Sequence, residues 1–254
     1  MITRKPLKTL MLVIAVTLLT GCGAQQYKLD KRAEITIGVA ASMKPPIKAI
    51  AEEFERTTGA KVTLSYGSSG LLARQIENGA PIDLFIAADE EYIYQLKKKK
   101  KTSQSLPFAR GFAVFVGKAK THTDLISPMI SKIAIANPKL APYGRAGIEI
   151  LKNNGTWRTT NKKIVYADNV AQAYEFVKTG NADVGIVALS LVKKTGDPYT
   201  LINRRAYNPI ISWVAVNKKT DNPKTAKAFL QFMRSPFAKK TLTDDGFEFL
   251  EVRK

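Results

Sequence analysis

The sequence predicts an α/β protein of two lobes, each a mostly parallel sheet flanked by helices, with a cleft between them. Three observations carry this reading. Short apolar runs alternate with stretches of helical spacing, the alternation restarts midway along the chain, and an export leader stands ahead of it. Ile35–Ala40 is a short apolar run typical of a buried parallel strand. Ile47, Ile50, Ala51 and Phe54 then follow at helical spacing, and Gly59 closes that helix. Val62–Tyr66 reads as the next strand. Leu72 and Ile76 mark a helix ending near Gly79, with Pro81 beyond, and Leu84–Ala88 is a third strand. This βαβαβ order predicts a doubly wound unit.

The second unit begins with strands at Phe112–Val116 and Ile133–Ala136. Ala146–Asn153 is a helix and Ile164–Tyr166 a strand. Val170, Ala173, Tyr174 and Val177 repeat the helical spacing, and Val184–Val187 returns to strand. Ile210–Val216 is a late strand, and Asn222-Pro223 opens a final helix with Ala226, Phe229, Leu230 and Met233 on one face. The expected division is 34–109 plus 208–254 for one lobe and 110–207 for the other. Ligands of such sheets bind beyond the carboxyl ends of the strands.

Residues 1–21 read as a leader. Arg4, Lys5 and Lys8 precede the apolar run 10–19, whose ten residues are too few for a membrane span of about 20. Leu19-Thr20-Gly21-Cys22 resembles a bacterial lipobox, which implies cleavage before Cys22 and lipidation of it. Cys22 is the only cysteine. A multiply acylated Cys anchors stably to a membrane, and the polar stretch 22–33 reads as a tether. The expected location is outside the cytoplasmic membrane, facing the periplasm or the cell exterior.

Composition removes other classes. One Cys and one His exclude an internal disulfide and leave no basis for a zinc site of Cys and His. Lys and Arg total 40 against 21 acidic residues, a formal charge of +19. Such a balance ordinarily suggests nucleic acid, but export argues against it. The run Lys97–Lys101 lacks interleaved aromatics and reads as a solvated loop.

Four strand-to-helix turns carry small or hydrogen-bonding residues: Ala40-Ala41-Ser42, Gly67-Ser68-Ser69-Gly70, Pro142-Tyr143-Gly144 and Asp168-Asn169-Val170. A helix N-terminus offers free N–H donors and partial positive charge, which suit an anion. Each turn also has a plainer reading. Ser42, Ser69 and Asn169 serve equally as N-caps, and Gly67 and Gly70 as turn formers.

The strings AASMKPPIKAIAEEFERTTGAKV and SYGSSGLLARQIENGAPIDLFIAAD resemble the molybdate-binding proteins of bacterial ABC transporters. NPKLAPYGRAGIEIL, NVAQAYEFVKTGNADVGIV and SPFAKKTLTDDGF match in the same order, so the resemblance covers nearly all of Thr36–Phe247. It implies a type II periplasmic binding protein fold, with molybdate or tungstate held in the cleft by neutral donors. It implies no cofactor, a monomer, and a permease and ATPase as partners. By the same resemblance, Ser42 and Ser69 give hydroxyl and N–H donors to the oxyanion around its metal atom. Tyr143 and Val170 give backbone N–H groups. Ala41, Ser68, Asn169 and Arg145 stand beside them as supporting residues. Many members carry a Tyr after a GIV strand. This chain has Ala188 there, and the Tyr143 hydroxyl is the candidate substitute. Lys44 reads as surface solvation, while Arg145 is placed either to solvate the surface or to attract an anion.

The rival classes have weaker support. An enzyme would show G-x-S-x-G, a P-loop or H-E-x-x-H, and none is present. His122 lies in a polar stretch. Asp83 and Asp89 read as strand-end residues rather than, with Asp168, an acid–base set. Trp157 and Trp213 read as packing. A binder of sulfate, phosphate or a small organic anion uses the same donor chemistry. A regulator's effector domain would need a DNA-binding region where the leader stands.

Overall fold

A computed structural model describes residues 33–251 of the chain. The leader, Cys22 and nearly all of the proposed tether lie outside the described residues. The first unit runs β1 (Glu34–Ala40), a 3-10 turn (Ala41–Met43), α1 (Lys44–Thr58), β2 (Lys61–Gly67), α2 (Ser69–Glu77), β3 (Leu84–Ala87), α3 (Glu91–Lys98) and β4 (Thr102–Gly111). The second holds β5 (Ala113–Gly117), β6 (Ile133–Ala136), α4 (Pro142–Asn153), α5 (Trp157–Thr160), β7 (Ile164–Ala167), α6 (Val170–Lys178), β8 (Val184–Ala188), α7 (Leu189–Val192) and β9 (Tyr199–Leu201). The chain then returns through β10 (Ile210–Asn217), α8 (Pro223–Phe232), α9 (Pro236–Asp244) and β11 (Glu248–Phe249).

These strands form two mixed sheets, ordered β11-β4-β10-β3-β1-β2 and β7-β6-β8-β5-β9. The parallel pairs are the expected ones: β1 with β2 and β3, and β6 with β7 and β8. The antiparallel members are β4, β5 and β10, which carry the chain between the sheets, and the short strands β9 and β11. The two crossings, between β4 and β5 and between β9 and β10, leave a double-stranded connection at one side of the cleft.

The first sheet is covered on both faces. Ile37, Ile47, Ile50 and Phe54 pack with Leu84, Ile86 and Phe229 in one cluster, and Leu72, Ile76, Phe85, Tyr92 and Leu96 in another. Phe54 meets Phe229 edge-on at 5.1 Å between ring centroids. Gly59 closes α1 at φ 74°, a left-handed position that costs a side chain strain. Pro45 and Pro46 occupy the first turn of α1, where N–H groups have no intrahelical partner. Trp157 packs on the second sheet's core and Trp213 on the first sheet's, as expected of packing residues.

Several elements differ from the sequence reading. Lys97 and Lys98 belong to the last turn of α3, where cations suit the helix dipole, and Lys101 donates to the Glu77 carbonyl at 2.8 Å. Only Lys99 and Lys100 form the turn. Helix α3 was hidden because its apolar face is only Tyr92, Ile93 and Leu96. Strand β4 was hidden by Thr102–Ser105 and Pro107. It forms because β10 pairs along it, with a register shift where Pro107 stands opposite Trp213. Helix α8 is not the last one. Ser235 caps α9 by accepting from the Ala238 N–H at 3.1 Å.

Candidate oxyanion site

The four singled-out turns converge on one small, partly open pocket between the two sheets. It is lined by Ala41, Ser42, Gly67, Ser68, Ser69 and Ala88 from one side, and Ala141, Pro142, Tyr143, Asn169 and Val170 from the other. Its free volume is about 10 Å³, the room of roughly one water molecule. No side chain lining it carries a formal charge. The helix starts behind it are those of α1 with its 3-10 turn, α2, α4 and α6. Some of their first-turn N–H groups are engaged, Gly70 with the Leu140 carbonyl, Gly144 with the Ala141 carbonyl, and Ala171 and Gln172 with Asn169, while four dipoles raise the potential there.

The hydroxyls divide into two kinds. Ser69, 1% exposed and first in α2, accepts from the Ala88 N–H at 3.0 Å, so its own proton is free to be donated. Ser42 Oγ, Ser68 Oγ and Tyr143 OH are buried with no hydrogen-bond partner. A buried unpaired polar group costs about 1–3 kcal/mol. Two of them, on Ser42 and Ser68, belong to residues that line the pocket and mark a place shaped for a polar guest, while the Tyr143 hydroxyl lies away from it, towards Gly111. Neither Ser42 nor Ser69 caps a helix: α1 and α2 lack side-chain caps. Asn169 is a cap, accepting from Ala171 and Gln172 N–H at 3.0 and 3.1 Å, which turns the start of α6 so that Val170 faces the cavity.

Tyr143 reaches furthest. Its hydroxyl lies against Gly111 at the end of β4, where any Cβ would collide with it. Burial pushes that hydroxyl's pKa far above the usual phenol range, so it stays a neutral donor. Ala188 pairs with Ala113 in β8 and does not line the cavity. Arg145 does not line it either. Its guanidinium pairs with the Asp89 carboxylate and lies 3.5 Å from that of Glu91.

The lobes are closed. Gly70 N–H donates to the Leu140 carbonyl at 2.8 Å, Tyr92 OH to the Lys139 carbonyl at 3.1 Å, and Ser190 Oγ to the Ser42 carbonyl at 2.6 Å. Gly70 admits this approach because a Cβ there would sit 3.0 Å from the Leu140 carbonyl oxygen across the cleft, and 2.7 Å from the Tyr92 hydroxyl oxygen of its own lobe. These bridging residues were missed in sequence, since nothing local marks a contact across a cleft. The Gly after Ser68-Ser69 was the one available signal. Asp83 and Asp89 sit at opposite ends of β3. Asp83 accepts from the Thr36 N–H at 2.8 Å and the Thr220 hydroxyl at 2.5 Å, so they form no acid–base set.

Residues 35–248 match the family described as bacterial extracellular solute-binding protein. The chain belongs to that family. It is 36% identical over 241 residues to the molybdate-binding protein ModA of Azotobacter vinelandii, covering 90% of this chain and 93% of that one. It is 33% identical to the ModA of Rhodobacter capsulatus, over 84% of this chain and 88% of that one. The solved structure of the A. vinelandii periplasmic molybdate-binding protein superimposes with a TM-score of 0.80 at 29% identity, covering 85% of this chain and all of that one. These relatives are solute-binding proteins, not enzymes, and their two-lobed fold is the fold found here. Among the described residues no helix is long and apolar enough to cross a membrane, and no group of three His, Cys, Asp or Glu is placed to hold a cation.

Proposed function

We propose that the protein captures molybdate or tungstate between lobes 34–109 plus 208–254 and 110–207, and delivers it to an ABC permease driven by its ATPase. The observation that carries this is the uncharged cavity with free donors at four helix starts. The proposed contacts are the hydroxyls and N–H groups of Ser42 and Ser69, the N–H groups of Tyr143 and Val170, and the Tyr143 hydroxyl. A dianion needs no countercharge when desolvated donors and helix dipoles point at it. The backbone N–H groups and the absence of a carboxylate from the lining favour a fully deprotonated oxyanion, although the hydroxyls can also accept a proton in a hydrogen bond. No cofactor takes part. The protein works as an exported monomer, tethered by 22–33 and lipidated at Cys22.

Calorimetric titration of the chain from Cys22 onward tests this. One molybdate or tungstate per chain is expected. Ligand at a hundredfold over Kd adds about 2.7 kcal/mol of stability. No heat and no melting shift with either anion, together with a response to sulfate or phosphate, would refute the assignment.

A further inference from the structure

We propose that Arg145 is a positioning residue that lets the lobes close, by compensating the Asp89 carboxylate that closure buries beside the anion cavity. This rests on the oxyanion reading above. Asp89 directly follows Ala88, whose N–H holds Ser69 Oγ at the cavity wall. Arg145 stands outside the pocket, two residues past Tyr143, which lines the opposite wall. The pair therefore joins the two donor sets at their rims. Its side chains are 32% and 17% exposed for Arg145 and Asp89.

The groups facing Asp89 are few. From α3 come the Tyr92 N–H at 3.4 Å and the Glu91 carboxylate, and from α4 comes Arg145 alone. Arg145 also donates to the Tyr92 hydroxyl at 3.4 Å, with its guanidinium 5.5 Å from that ring's centroid. Tyr92 in turn donates across the cleft to Lys139. A cation in the first turn of a helix opposes the dipole. The facing carboxylates supply the reason for placing one there. Burial pushes the Asp89 carboxyl up to about 6 even with the guanidinium pulling it down. Without Arg145, closure would bury a carboxylate next to Glu91 and to a bound dianion.

This account makes an asymmetric claim. A simple two-partner clasp loses the same attraction whichever partner is removed. A compensated buried carboxylate suffers far more when its cation is removed than when it is itself neutralised. The experiment measures molybdate affinity and release rate for the wild type, Arg145→Gln, Asp89→Asn and the double variant. Arg145→Gln is expected to weaken binding by about tenfold, mainly through faster release. Asp89→Asn should lose less, and the double variant should bind more tightly than Arg145→Gln alone. Lowering the pH from about 8 to about 6 should restore affinity in Arg145→Gln, as its Asp89 takes up a proton. Equal losses in the two single variants, additive in the double, would overturn the inference, and so would wild-type affinity in Arg145→Gln. A wild type that binds neither molybdate nor tungstate would overturn the oxyanion reading and this inference with it. Wild-type binding with no asymmetry overturns this inference alone.

Discussion

Removing the hydroxyl of Ser42 should weaken the anion complex while leaving the unliganded fold as stable as before, or more so. Ser42 is 1% exposed, and its Oγ has no protein partner. The fold therefore loses no hydrogen bond in Ser42→Ala, and a buried unsatisfied oxygen disappears. The complex loses a donor to a charged guest, worth roughly 1.5–3 kcal/mol or about ten- to a hundredfold in Kd. Ser69→Ala is the internal contrast. Its Oγ both faces the cavity and accepts from the Ala88 N–H at 3.0 Å. That variant should lose the same order of affinity and also stability, since the Ala88 donor becomes an orphan at about 1–3 kcal/mol. At about 2–4 °C per kcal/mol for a chain of this size, the difference is readable by thermal unfolding. The assay is calorimetric titration beside melting of the unliganded proteins. Unchanged affinity in Ser42→Ala with a lowered melting temperature would refute the reasoning and make Ser42 a structural residue.

Tyr143→Phe keeps the ring and removes a buried unpaired hydroxyl, so a donor role predicts a loss of roughly 1.5–3 kcal/mol in affinity by titration. Wild-type affinity would leave only its backbone N–H in the site. Gly70→Ala should impair closure, because the new Cβ meets the Tyr92 hydroxyl oxygen at 2.7 Å and the Leu140 carbonyl at 3.0 Å. Affinity should fall, and unliganded melting should fall as well because Tyr92 belongs to the same lobe as Gly70; unchanged affinity would show that closure tolerates the methyl. The Asp183 carboxylate accepts from the Lys118 ammonium and from the Ser131 and Lys132 N–H groups, which hold its pKa well below the usual range. Its stabilisation is complete above the unfolded carboxylate value of about 3.9 and fades as the pH falls through the lower folded value. Asp183→Asn should therefore melt lower at neutral pH, with the gap narrowing only in strong acid, and a pH-independent gap would contradict this. Cys22→Ala should move the protein out of the membrane fraction, and retention there would exclude Cys22 as the anchor.

The order of strands and helices was legible because hydrophobic periodicity is local. Apolar runs such as Ile133–Ala136 and Val184–Val187, both fully buried, announce themselves without reference to any partner. The four turns of the pocket were legible for a similar reason, as small or hydrogen-bonding residues between a strand and a helix, although capping and turn formation offered a plainer reading of each. Strand β4 was not legible. Thr102–Ser105 is polar and becomes a strand only because β10 offers a ladder to it.

By itself, then, the sequence determined the two α/β units, the turns bearing Ser42, Ser69, Tyr143 and Val170, and the kinship those turns imply. Only the tertiary structure decided how each donor stands. Ser42 and Ser69 look alike in sequence, yet one hydroxyl is unpaired and the other holds Ala88, because bonding depends on what packs opposite. Arg145 and Asp89 are 56 positions apart, and no local pattern links them. Closure of two separately built lobes brings them together. Periodicity reports which face of an element is buried, whereas contacts across a cleft are set by the packing of whole lobes.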